Sequence, residues 1–133
     1  MPVDFVLDAS GGVAWLDGEE GHERMEQLLD RAGPNVSIHV VNFVEILYLY
    51  RRKSPAAALD ASGRLLGTGL QVEHEILPEL RDLVVELKAT RTPISLADAF
   101  AVAYAMTNDA VLLTTDRGEL EKLMDICKIE FLR

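Results

Sequence analysis

The chain has 133 residues, 49% of them hydrophobic, which suits one compact domain over 1–133 with a real core and excludes two full domains. Thirteen basic against twenty-two acidic residues give a formal net charge of −9, which argues against a broad basic face for nucleic acid and leaves any such role to bound divalent cations that invert the local field. Cys127 is the only cysteine, so an intrachain disulfide and a cysteine-based metal site are excluded; with no charged leader and no apolar run near the ~18 residues of a bilayer span, a cytoplasmic location without membrane attachment is expected.

Residues 3–7 form a short β-rich apolar run ending in Asp8-Ala9-Ser10-Gly11-Gly12, which predicts a buried strand running into a tight turn, with a short helix over 12–16. Residues 19–31 are charged outside with Met25, Leu28 and Leu29 on one face, closed by Gly33-Pro34, as in an amphipathic helix. Residues 36–41 return to β-branched character, and 43–53 after Asn42 read as a largely buried helix. Ser54-Pro55 supplies an N-cap and a first-turn proline for a helix to about Leu66, and 70–77 read as a third strand. Leu80, Leu83, Val84 and Leu87 fit a surface helix ending near Thr92-Pro93, and Ser95 opens another helix to about Met106. Residues 110–115 predict a fourth buried strand. Leu120, Leu123, Met124 and Cys127 predict one face of a final helix, and 128–132 a closing strand. Strands alternating with helices imply a three-layer α/β/α domain with a mainly parallel sheet of about five strands. Its site belongs outside the carboxyl ends of the strands.

Four carboxylates follow predicted strands or open predicted helices: Asp8, Glu45, Asp98 and Asp116. Hard cations such as Mg²⁺ and Mn²⁺ prefer carboxylate oxygens, so acids meeting at one sheet edge suit a metal site for phosphodiester hydrolysis. Each acid also has a local explanation. Asn42 with Glu45, Ser95 with Asp98, and Asp116 with Glu119 all have capping-box spacing, while Asp8 can brace its own turn. The two readings are compatible, because a helix N-terminus keeps a carboxylate ionised.

The motifs Val6-Leu7-Asp8-Ala9-Ser10, Val41-Asn42-Phe43-Val44-Glu45, Ile94-Ser95-Leu96-Ala97-Asp98-Ala99 and Leu112-Leu113-Thr114-Thr115-Asp116-Arg117 occur in this order over nearly the whole chain. In these motifs the chain resembles PIN-domain nucleases, and within them the VapC-type toxins of bacterial and archaeal toxin–antitoxin pairs. The resemblance implies a PIN-like fold in which Asp8, Glu45, Asp98 and Asp116 bind the divalent metal, with Ser10 and Thr114 as supporting hydroxyls. It also implies an RNA substrate, a cognate antitoxin that covers the site, and a homodimer.

Arg117, beside Asp116 at a helix start, is a candidate phosphate contact, with a solvated arginine as the alternative. Arg51, Arg52 and Lys53 end a helix whose dipole they complement, and RNA phosphates are their second reading. His22, His39 and His74 share no metal-ligand spacing and read as structural or surface residues. Trp15, Phe43, Tyr48, Tyr50, Phe100 and Tyr104 read as core or dimer face, with Trp15, Tyr48 and Tyr50 as the candidate dimer surface. The rival functions are a catalytically silent PIN-like scaffold binding RNA or protein and a Mg-dependent phosphotransfer module. The second fits poorly, since Asp8 has no adjacent acid and no lysine follows the fourth strand.

Overall fold

In the computed structural model, which describes residues 2–91 and 93–133, strand and helix alternate along the chain. The first half contains β1 (Phe5–Leu7), α1 (Ala9–Leu16), α2 (His22–Leu28), β2 (Val36–His39), α3 (Val40–Arg51) and α4 (Pro55–Gly67). The second half contains β3 (Gln71–Glu73), α5 (Pro78–Thr90), α6 (Leu96–Thr107), β4 (Val111–Thr114), α7 (Arg117–Leu120), a 3-10 turn (Glu121–Leu123) and β5 (Ile129–Phe131). The strands lie in the order β3-β2-β1-β4-β5, and every pairing is parallel.

A parallel sheet is covered on both faces, and alternate residues of its central strands divide between two cores. Val6 and Leu112 pack with α5 and α6, while Leu7, Leu113 and Ile38 pack with α1, α3 and α4. Helix α6 is buried almost all round, and its fully buried Ala99, Ala101, Ala103 and Ala105 let the sheet approach closely. The chain winds from β1 outward to β3, then returns to place β4 on the other side of β1. The carboxyl ends of β1 and β4 therefore flank the point where the strand order reverses, which is where open α/β sheets form a crevice. The register sets Leu7 beside Leu113, so Asp8 and Thr114 come next at that point.

Several boundaries differ from the sequence expectation for local reasons. Helix α1 starts at Ala9 and not at Gly12, because the Asp8 carboxylate caps it by accepting the Gly11 N–H at 2.9 Å. The predicted tight turn is thus a helix start. Its glycines serve packing: a Cβ on Gly12 would lie 2.5 Å from Ile46 Cδ1. Helix α3 starts at Val40 because His39, fully buried and stacked on Phe100 at 5.1 Å, accepts the Val41 N–H on Nδ1 at 3.2 Å. Nδ1 is then the acceptor, and Nε2–H donates to the Glu75 carbonyl. Asn42 is consequently a buried residue of the first turn and not the cap.

Helix α2 is shorter than expected, and β3 ends at Glu73, leaving Ile76 and Leu77 exposed on a loop. Helix α5 ends at Thr90, and the expected stop at Thr92 lies outside the described residues. The final helix breaks after Leu120 into the 3-10 turn: Leu120, Leu123 and Cys127 are buried, but Met124 is exposed.

Candidate metal centre

Asp8 is almost completely buried at the head of α1. Its Oδ1 accepts from Ser10 Oγ at 2.8 Å and from the Gly11 N–H, and its Oδ2 accepts from Thr114 Oγ1 at 2.6 Å. Ser10 Oγ also receives the Thr115 N–H, and Thr114 Oγ1 receives the Asp116 N–H, both at 3.0 Å. The two hydroxyls therefore tie the start of α1 to the chain leaving β4. Burial pushes the Asp8 carboxyl up to about 6; the hydrogen bonds from Thr114, Gly11 and Ser10 oppose the rise, and the Asp116 charge adds to it.

Asp98, Asp116 and Glu119 each offer a carboxylate oxygen within 4.8 Å of the others. Ser95 caps α6 by accepting the Asp98 N–H, and Asp116 caps α7 by accepting the Glu119 N–H. Both capping expectations hold for the cap residue itself, and the same geometry brings the downstream acids together. The Asp98 carboxyl is raised well above the usual carboxylate range by burial, then by a hydrogen bond with Glu119, then by the charges of Asp8, Asp116 and Glu119. Among the described residues, no ion pair involves Asp8, Glu45, Asp98, Asp116 or Glu119.

Glu45 is half-buried on α3, and burial raises its carboxyl. Glu119 joins the group although sequence reading gave it only a role beside the Asp116 cap. The usable signal was its spacing, since residues three apart on a helix share a face. The donor set fits a hard divalent cation: it is made of oxygens, crowded, acidic, and unneutralised by any ion pair among the described residues.

Arg117 donates from Nε to the Arg133 carbonyl at 2.8 Å and lies over the Phe131 ring at 4.7 Å, a fixed position beside Asp116. Arg51, Arg52 and Lys53 are exposed, with Arg52 over Tyr48 and Lys53 over Tyr50. Of the three aromatics of the expected dimer face, Tyr48 is exposed. Tyr50 is buried and donates to Asp17 at 2.7 Å, and Trp15 is half-buried with its indole N–H on Glu26.

The sequence matches the PIN domain family over residues 5–124. The chain belongs to the PIN-domain family. No curated protein sequence matches it significantly. Among solved structures, a toxin–antitoxin complex from Klebsiella pneumoniae is similar at a TM-score of 0.76 and 13% identity, over 98% of each chain. VapBC2 from Rickettsia felis, bound to a DNA fragment from its promoter, gives 0.75 and 16% over 97% of this chain and 98% of that one. VapC20 of Mycobacterium tuberculosis, described as a Sarcin-Ricin loop cleaving toxin, gives 0.71 and 21% over 90% of this chain and 95% of that one. No helix among the described residues is long and apolar enough to cross a membrane.

Proposed function

We propose that this PIN-domain chain is an endoribonuclease that hydrolyses RNA phosphodiester bonds with Mg²⁺ or Mn²⁺, acting in the cytoplasm as the toxin of a toxin–antitoxin pair. The observation that carries this reading is the un-neutralised group of Asp98, Asp116 and Glu119 beside Asp8, at the reversal point of the parallel sheet. Asp8, Asp98 and Asp116 are the proposed ligands, Glu119 joins them, and Glu45 completes the set from α3. Bound there, a divalent ion supplies Lewis-acid stabilisation of the charge that builds on the phosphodiester and makes water a stronger nucleophile.

The chain's own residues have separable tasks. Ser10, Thr114 and the Gly11 N–H fix the Asp8 carboxylate in one orientation, so little reorganisation is left to the bound state. Burial and the neighbouring acids Asp8, Asp116 and Glu119 raise the Asp98 carboxyl, so opposite charge bound there would favour its ionised form. Arg117, steadied by Phe131 and the Arg133 carbonyl, offers its remaining N–H groups to an RNA phosphate.

A cognate antitoxin as partner is supported by the complexes of the similar folds, and an RNA substrate by the described action of VapC20. A homodimer is the proposed assembly, and light scattering that gives a monomer mass would count against it. Calorimetric titration with Mn²⁺ tests the centre: binding at millimolar ion or below is expected in wild type and weakened in Asp116→Asn. No heat of binding in wild type would remove the metal reading.

A further inference from the structure

Asn42 is buried to 1% exposure, and neither its Oδ1 nor its Nδ2 has a hydrogen-bond partner. Among the described residues these are the buried side-chain polar atoms left unpaired. Such a group is costly, and an apolar residue of similar volume would suit a purely structural position better.

Its place in the fold says what it faces. Helices α1 and α3 follow neighbouring parallel strands and lie against the same core, so they run in the same sense. Ile46 packs against Gly12, with its Cδ1 2.5 Å from where a Cβ on that glycine would stand. Counting one turn back along both helices from that contact leads from Gly12 to Asp8 and from Ile46 to Asn42, so the helix geometry points Asn42 toward the head of α1. The Asp8 carboxylate accepts two hydrogen bonds on Oδ1 and one on Oδ2, which leaves an acceptor position free. Glu45 lies three residues beyond Asn42 on the same helix.

We propose, resting on the reading of the acidic group as the reaction centre, that Asn42 is a positioning residue. Its amide N–H takes the free acceptor position of Asp8 in the working arrangement and so orients that carboxylate as a ligand. The unpaired amide of the resting fold is the cost of having that donor ready.

The test compares wild type with Asn42→Leu, which keeps the branching and heavy-atom count of the side chain, and Asn42→Ala, which covers the case in which leucine does not fit. Mn²⁺ is titrated into each protein while free ion is read by electron paramagnetic resonance, and each protein is melted without metal. The expected result is a metal-free Asn42→Leu protein that melts at or above wild type. Mn²⁺ affinity should fall about 10–100-fold in both variants, the range for losing an outer partner of a metal ligand. RNA cleavage should fall through kcat and not through KM. Variants that bind Mn²⁺ as tightly as wild type, with only the melting temperature lowered, would overturn the proposal and leave the acidic centre standing. A wild type that binds no Mn²⁺ would overturn the centre and the proposal with it.

Discussion

Raising the pH should destabilise the metal-free protein, and the buried carboxylate of Asp8 sets the scale. Its folded-state value of about 6 lies above the ordinary 3.8, chiefly because burial penalises the ion. A group raised in this way favours folding while protonated. Its contribution is fully present below about pH 4 and is lost as the pH rises through about 6. The rise from 3.8 to about 6 corresponds to about 3 kcal/mol. Asp98 is raised in the same direction and extends the loss to higher pH, with its share reduced by partial exposure. Asp125, held low by its hydrogen bond with Arg91, acts in the opposite direction but is an exposed pair worth little. Against a typical domain stability of about 5–15 kcal/mol the loss is readily measured. Urea unfolding in EDTA at about pH 5 and about pH 7.5 reads it directly, with a lower midpoint expected at the higher pH. Saturating Mn²⁺ should flatten the difference, since an ion that binds only the folded state adds stability where the carboxylates are ionised. A metal-free protein equally stable, or more stable, at the higher pH would refute the reasoning.

Two substitutions probe separate parts of the structure. Asp98→Asn gives up about 0.3–1 kcal/mol of helix-dipole interaction but relieves crowding with Asp8, Asp116 and Glu119. Its metal-free form should melt above wild type and lose most of the Mn²⁺-induced rise; a lower melt with the metal response intact would make Asp98 a capping-turn acid only. Gly21→Ala should cost about 1–3 kcal/mol or more, because Gly21 has φ 98° and a Cβ there would lie 2.5 Å from the Leu132 carbonyl oxygen. Unchanged urea unfolding in that variant would contradict the close approach of the chain end to the start of α2.

The order of elements and the layering were legible because buried parallel strands and amphipathic helices carry different periods. Residues 110–115 and Ser54-Pro55 fell close to their observed places for that reason. Where a side chain from outside the usual capping set did the capping, the boundary slipped. His39 caps α3 through a ring nitrogen, which no N-cap preference announces, so Asn42 was assigned the role. Gly11 and Gly12 read as a turn because their packing against Leu7 and Ile46 is a tertiary fact. In the candidate site, Asp8, Asp98 and Asp116 stand out in the sequence by their places at strand ends and helix starts. Glu119 was hidden by its plausible local role, and its approach to Asp98 depends on how α6 and α7 sit, which spacing along the chain does not encode.

The most direct measurement is cleavage of a defined RNA by three samples of pure protein: wild type with Mn²⁺, wild type with EDTA, and Asp98→Asn with Mn²⁺. Cleavage by the first sample, none by the second and a far slower rate in the third is the predicted result. Undiminished cleavage in EDTA, or a wild-type rate from Asp98→Asn, would contradict a hydrolysis centre built on these carboxylates.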